Sequence, residues 1–450
     1  MKAKYIVIVV ILFLRSTSGF SQLAKFTGSW FGTLNVGIDL RIVFHITQNE
    51  NGILTVTADS PDQAAFGLKC DTTFISNDTI TIEMKNMQAS FTGKLTNDSV
   101  ITGKFVQKAG IPLTLIKKKD PASLIKKRPQ TPQAPFTYKS EDITYINKDG
   151  SINFGATVTI PEGKGPFPAV VLVSGSGPQN RNAEMLGPQF FAVLADHLSK
   201  NGIVVLRYDE RGIGKSTGIF GEATTADFAE DASAGVDYLL SREEVDKKKI
   251  GMIGHSEGGI VVPMVATIRK DIDFLVLLAA PGISILDLMA EQNEAIAMKN
   301  GVSAESAKEF GMLYRRVITS IIEAPDSIIA LQNTAMLIEK WAVQKSKQLL
   351  TELNLAPAKN RFDYVSALTS QVRSKWFKYF LSINPAMYLQ QLKCKVLALN
   401  GDKDIQVIST SNLAGISNAL KKSKSKKYEV KEIPGLNHLF QHCTSCTANE

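Results

Sequence analysis

The feature that most constrains this chain is a change of hydrophobic period near residue 117. Before it, from residue 23, apolar and polar residues alternate with period two. Leu40-Arg41-Ile42-Val43-Phe44-His45-Ile46, Ile53-Leu54-Thr55-Val56-Thr57 and Thr79-Ile80-Thr81-Ile82-Glu83-Met84 are examples, with turn residues such as Asn51-Gly52 and Asn97-Asp98 between runs. Short alternating strands at close spacing predict an all-β sandwich or small barrel over residues 22–117. Phe91-Thr92-Gly93-Lys94 and Ile101-Thr102-Gly103-Lys104 read as the two strands of a hairpin. After residue 140 the pattern becomes continuous apolar runs, Ala169–Val173, Ile203–Leu206 and Phe274–Leu278, separated by stretches of helical spacing at Pro188–Ser199, Thr225–Leu240 and Gly258–Ile268. Strands buried on both faces and alternating with helices predict a doubly wound, mostly parallel α/β sheet over residues 141–450. Residues 283 to about 385 interrupt it with amphipathic helical stretches before Lys395–Leu399 resumes the sheet. Such an insertion would lie as a helical lid over the strand C-termini.

Between the two parts, residues 118–140 are basic and proline-rich, which suits a linker. The formal charge of +8 comes largely from this linker and from Lys2, Lys4 and Arg15 near the N-terminus. No aromatic-interleaved basic face accompanies it, so nucleic acid is not expected as a partner. Lys2 and Lys4 followed by the apolar run Tyr5–Leu14 and by Gly19-Phe20-Ser21 read as a signal peptide, residues 1–21, cut before Gln22. The run is too short to span a bilayer. An exported protein, periplasmic or secreted, without stable membrane insertion is expected. Four cysteines suit that compartment. Cys443-x-x-Cys446 reads as a small disulfide or two free thiols, with a zinc site from His438, His442, Cys443 and Cys446 as the sharper alternative. No feature specifies an oligomeric state.

The chemistry is concentrated in a few motifs. Gly254-His255-Ser256-Glu257-Gly258 is a G-x-S-x-G placed between an apolar strand, Lys249–Ile253, and a helix start. A strand-to-helix turn this tight leaves no room for side chains beside the serine and lifts its hydroxyl to the sheet rim. Ser256 is therefore the candidate nucleophile. A serine needs a base, and of five histidines His438, on the loop after the strand Tyr428–Ile433, is best placed, with His442 one helical turn further on as fallback. The base needs an acid. Gly401-Asp402-Lys403-Asp404 follows the penultimate strand, and Asp404 is preferred over Asp402. Two backbone N–H groups must receive the oxyanion: Glu257, after the nucleophile, and Ser176 in Ser174-Gly175-Ser176-Gly177-Pro178, with Gly177 as alternative. Arg207-Tyr208-Asp209-Glu210-Arg211-Gly212 lacks phosphate-loop spacing and reads as a turn closed by Asp209 and Arg211 contacts.

With these motifs assembled, residues 140–440 resemble the EstD-type bacterial carboxylesterases of the α/β-hydrolase superfamily, near its serine aminopeptidase and dienelactone-hydrolase branches. The preceding domain, with Gly28-Ser29-Trp30 and Asp59-Ser60-Pro61-Asp62-Gln63, is similar to the N-terminal extension of that group. The resemblance implies hydrolysis of small-molecule acyl esters through an acyl-enzyme, with no metal or organic cofactor. The same triad would also serve a serine aminopeptidase, with Glu291 and Glu294 available for an α-amine, or a thioesterase. A third reading gives the β domain a glycan- or lipid-binding role through Trp30 and Phe31. The resemblance also predicts a further helix after the histidine loop, which the sequence to Glu450 does not provide; exposed apolar sheet surface is the expected consequence.

Overall fold

The computed structural model describes residues 23–35, 39–49, 53–60, 65–107, 109–118, 128–184, 187–425 and 427–446. The expected signal peptide, the Asn51-Gly52 turn, Pro61-Asp62-Gln63 and residues 119–127 of the basic linker lie outside them. The chain divides into two compact units at Thr131/Pro132, with Glu184–Pro188 counted to the first.

The first unit is one antiparallel sheet. Its strands are β1 (Gly28–Asn35), β2 (Asp39–Gln48), β3 (Leu54–Ser60), β4 (Ala65–Lys69), β5 (Thr72–Ser76), β6 (Thr79–Met84), β7 (Ala89–Asn97), β8 (Val100–Gln107) and β9 (Ala109–Lys118). Their order is β4-β3-β2-β1-β9-β8-β7-β6-β5. Because side chains alternate across a strand, Trp30, Phe44, Ile46, Ile80, Ile82, Phe91, Ile101 and Leu115 all fall on one face, and all are buried in a single core. The expected hairpin is β7–β8, with Gly93 opposite Gly103. A Cβ on Gly103 would lie 2.1 Å from the Thr92 carbonyl oxygen, so only glycine fits. Trp30 and Phe31 are both buried, and the Trp30 indole N–H donates to Phe26 O at 2.6 Å. This corrects the expectation of a stacking platform: these aromatics form core, and the glycan-binding reading loses the groups that carried it.

The second unit holds a sheet of order β10-β11-β13-β12-β14-β15-β16-β17. The strands are β10 (Tyr138–Ile146), β11 (Asn153–Pro161), β12 (Phe167–Val173), β13 (Val204–Tyr208), β14 (Val245–His255), β15 (Ile272–Leu278), β16 (Lys395–Gly401) and β17 (Tyr428–Ile433). The β10–β11 and β11–β13 pairs are antiparallel; the others are parallel. Strand β12 shows why its sequence is apolar throughout. Ala169, Val171 and Val173 enter one core, and Val170 and Leu172 the opposite one. Helix α1 (Phe190–Lys200) serves the second face. Helices α2 (Thr225–Ser241), α3 (Gly258–Ile268) and, later in the chain, α11 (Ser409–Leu420) serve the first. On the second face Phe274, Val276 and Leu399 are only partly buried.

Between β15 and β16 lie seven helices: α4 (Ile285–Lys299), α5 (Ala304–Glu323), α6 (Ser327–Val343), α7 (Lys347–Glu352), α8 (Ala358–Val372), α9 (Lys375–Leu381) and α10 (Ala386–Leu389). Five of them begin at a side-chain N-cap, Ser284, Ser303, Asp326, Ser346 and Ser374. Their apolar stripes join the sheet core through Leu313, Val317, Ile338, Trp341, Val365 and Phe377. Among the described residues no helix is long and apolar enough to cross a membrane.

Candidate active site

The turn that carries the candidate nucleophile Ser256 is assembled by steric exclusion. Strand β14 ends at His255 and α3 begins at Gly258. Ser256 sits between them with φ at 53°, a left-handed backbone that costs a non-glycine residue roughly 1–2 kcal/mol. A Cβ at Gly254 would lie 2.1 Å from Gly258 O, and one at Gly258 2.2 Å from Val173 O. The G-x-S-x-G glycines are thus dictated by backbone packed against backbone. Ser256 N donates to Leu278 O at 2.9 Å, and Ser256 O accepts from Gly259 N at 2.8 Å, which pins the strained residue from both sides.

Asp404 and His438 are joined directly. His438 Nδ1 lies 2.8 Å from Asp404 Oδ2, and both residues are buried. The other carboxylate oxygen accepts from the Gln406 and Val407 amides at 2.8 and 2.9 Å. Accepting from the ring through Oδ2, the carboxyl holds the imidazole with a proton on Nδ1, leaving Nε2 to accept one. Asp402 does something else: its Oδ1 accepts from Gly435 N at 2.6 Å, anchoring the turn that leads into the histidine loop. Asn437 Oδ1 accepts from the Leu439 and Gln441 amides, both at 3.0 Å, and Phe440 has φ at 56°. These contacts fold the loop back on itself, and Leu436 bridges to His442. The expected helical turn carrying His442 is therefore absent. His442 stands at the end of the loop, and Cys443–Cys446 form a disulfide that leaves neither sulfur as a thiolate ligand for zinc.

Ser256 reaches this pair through its neighbour. His255 Nε2 lies 2.8 Å from the His438 carbonyl oxygen, an acceptor, so Nε2 carries the hydrogen. The two rings lie 4.7 Å apart. Burial, reinforced by His438, presses the His255 pKa down to about 3, so this ring is a neutral strut for the loop that carries His438. Among the described residues the Ser256 hydroxyl makes no hydrogen bond to the His438 ring; nucleophile–base contacts of this kind commonly tighten only around bound substrate. The remaining histidines stand apart, His197 exposed on α1 and His45 in the β unit.

The loop after β12 runs against the nucleophile. A Cβ on Gly175 would lie 2.9 Å from Ser256 Cβ and 3.3 Å from His255 O. Glu210, which the sequence showed only as part of a charged turn, holds this loop from beneath. Its Oε1 accepts from Ser174 Oγ at 2.6 Å and its Oε2 from Gln179 N at 2.8 Å. Burial, with Glu257 and Asp231 adding negative charge nearby, pushes the Glu210 carboxyl up to about 8. The turn itself is closed by Asp209, which accepts from Lys215 N at 2.9 Å and pairs with Arg181; Arg211 instead pairs with Asp231 of α2 at 2.6 Å. His255, Asp402 and Glu210 are supporting residues that only the folded arrangement reveals, although each lies within two residues of a motif.

Ser256, Asp404 and His438 follow β14, β16 and β17 at the C-terminal edge of a mostly parallel sheet, in the chain order Ser, Asp, His. Fold and order together define an α/β hydrolase. Residues 188–442, more than half of the chain, match the Hydrolase_4 family, serine aminopeptidase S33, and the chain belongs to that family. A stretch of 159 residues is 36% identical to Esterase EstD of Thermotoga maritima and covers 35% of this chain and 36% of that protein. The chain thus matches little more than a third of that curated relative's length. Among solved structures, a hypothetical protein of Pseudomonas aeruginosa is similar at 17% identity and a TM-score of 0.42, over 69% of this chain and 89% of that one. An esterase of Pyrococcus furiosus is similar at 18% identity and a TM-score of 0.41, over 66% and 83%.

Proposed function

We propose that this protein is a serine-dependent hydrolase of short-chain carboxylic esters that works through an acyl-enzyme. Ser256 Oγ attacks the ester carbonyl carbon while its proton passes to His438 Nε2. Asp404 stabilises the imidazolium so formed. The carbonyl oxygen, now negative, is received by the Glu257 and Ser176 amides. As the carbon–oxygen bond to the alcohol breaks, His438 returns the proton to the leaving oxygen. Water then gives a proton to the same nitrogen and attacks the acyl carbon, and the acid leaves as Ser256 is restored. The observation that carries this reading is the buried Asp404–His438 hydrogen bond beside a serine held in left-handed backbone. The test is p-nitrophenyl acetate turnover with fluorophosphonate labelling: Ser256→Ala should lose both, and full turnover by that variant would sink the assignment.

The matched family's description favours a second reading, a serine aminopeptidase. Of the two lid acids available for an α-amine, Glu291 is already hydrogen-bonded to Ser411 Oγ at 2.5 Å, which weakens it. Aminoacyl-p-nitroanilides compared with short acyl esters separate the two. We place the mature protein outside the cytoplasm, with its first residue at Gln22; N-terminal sequencing of the exported protein checks this.

A further inference from the structure

Glu257 stands directly after the nucleophile, yet its side chain has no part in the steps above. It is buried, and two separate elements converge on it. Its Oε1 accepts from Thr225 Oγ1, at the first turn of α2, at 2.6 Å. The same oxygen accepts from the indole N–H of Trp376, in α9 of the helical insertion, at 2.9 Å. Its other carboxyl oxygen, Oε2, is buried and makes no hydrogen bond among the described residues. Trp376 is itself seated by stacking on Phe380, ring centroids 5.1 Å apart. Glu257 and Glu210 line one cavity of about 10 Å³ with Ser174, Gly175 and Asp231, so both carboxyls sit directly beneath the loop that faces Ser256.

We propose that the Glu257 side chain is a positioning residue: it clamps the nucleophile turn between α2 and the helical insertion, and so holds the Glu257 amide at the angle the oxyanion requires. The side chain and the amide belong to one residue, so holding the carboxyl at its far end restrains the backbone that carries the amide. The insertion thereby has a direct mechanical hold on the oxyanion site, through Trp376. This rests on the hydrolase reading, and it adds that lid and oxyanion site are coupled through one carboxyl. A neutral, hydrogen-bonded carboxyl suffices for the clamp, in keeping with burial, which raises the Glu257 pKa.

The test uses full-length protein with p-nitrophenyl acetate, after wild-type protein has been labelled by fluorophosphonate and the labelled residue mapped. Glu257→Leu fills the site without an acceptor. It should lower kcat roughly 10- to 100-fold, a displaced oxyanion donor costing somewhat less than a deleted one, with KM changed less than about twofold. Glu257→Gln offers an amide oxygen to the same two donors and should restore kcat to within about threefold. Trp376→Phe keeps the stacking and removes only the N–H. It should lower kcat about fivefold, the worth of one hydrogen bond, and should lower it no further in a Glu257→Leu background. Melting temperatures confirm that each variant is folded; should Glu257→Leu not fold, the Gln and Trp376→Phe variants decide. A folded Glu257→Leu with wild-type kcat, a loss confined to KM, or a Trp376→Phe variant with unchanged kcat overturns the clamp while leaving the hydrolase intact. Wild-type protein that neither turns over ester nor labels at Ser256 fails the hydrolase reading itself, and the clamp falls with it.

Discussion

Among the described residues a Ser, a His and an Asp stand together in both units, joined throughout in the first and only between Asp and His in the second, and it is the second that has the features of an active site. In the β unit Ser29 Oγ lies 2.8 Å from His45 Nδ1, and His45 Nε2 lies 2.8 Å from Asp59 Oδ2. That relay is complete, whereas in the second unit only the Asp404–His438 link is closed. Ser29 and His45 are direct partners in the β1–β2 ladder, and their side chains point outward because Trp30 and Phe44 point in. Ser29 lies within strand β1, without the left-handed backbone of Ser256. Asp59 spends its other oxygen on Gly67 N at 2.8 Å. The imidazole is also held the opposite way round, with the acid on Nε2. The His45 and Asp59 side chains are 28% and 19% exposed, against 8% and 0% for His438 and Asp404. Hydrogen-bonding a serine to an imidazole to a carboxylate is therefore not enough. The second unit adds a strained turn at a helix start, a water-excluded acid and a glycine loop against the nucleophile.

The largest effect separates the two arrays outright. Ser256→Ala should lower kcat for p-nitrophenyl acetate by roughly 10⁴-fold or more and abolish fluorophosphonate labelling, while Ser29→Ala leaves both unchanged. Label mapped to Ser29 would reverse the comparison. Next in size are the acids. Asp404→Asn should cost roughly 10³- to 10⁴-fold in kcat by releasing the imidazole tautomer. Asp59→Asn should cost nothing in turnover, and equal losses in the two variants would remove the distinction between a fully buried and a half-buried acid.

Much of this architecture was legible in the sequence. Strand β6 and helix α3 fall on the residues that the periodicity marked, Thr79–Met84 and Gly258–Ile268, because burial on one face or both writes itself into residue type. Ser256 was legible because Gly254 and Gly258 are sterically forced. The β-unit array was not, since only strand register brings positions 29, 45 and 59 together. Nor were the partners of Glu257 and Glu210: Trp376 is more than a hundred residues from Glu257 in the chain, and no local pattern encodes such a contact. The loop after His438 was expected to be helical and is not. Asn437 caps two of its amides and Leu436 bridges to His442 across it.

Acid–base behaviour sharpens the contrast further. Glu210 is fully enclosed and its pKa is raised from 4.5 to about 8. Its folded-state value lies above its unfolded one, so the stability it contributes is fully present below about pH 4.5 and is lost as pH rises through about 8. The total is on the order of a few kcal/mol. Thermal unfolding of the full chain should show the unit that contains Glu210 losing stability over that window. Glu210→Gln can donate to Ser174 Oγ and accept from Gln179 N, and should flatten the profile. A profile with the same slope in wild type and variant would mean that the carboxyl is ionised throughout.

The smallest effect belongs to the relay in the β unit. Partly exposed hydrogen bonds contribute about 0.5–1.5 kcal/mol each, and water replaces part of any that are lost. His45→Ala removes both links of the relay at once. It should therefore destabilise the β unit by about 1 kcal/mol, seen as a modest drop in that unit's unfolding transition, with ester turnover unchanged. His45→Gln, which keeps an amide within reach of one partner, should recover part of it. A loss of turnover in His45→Ala at unchanged stability would give the relay a role in the reaction, and the exposure and reversed tautomer that now set it apart from Asp404–His438 would cease to be the deciding difference.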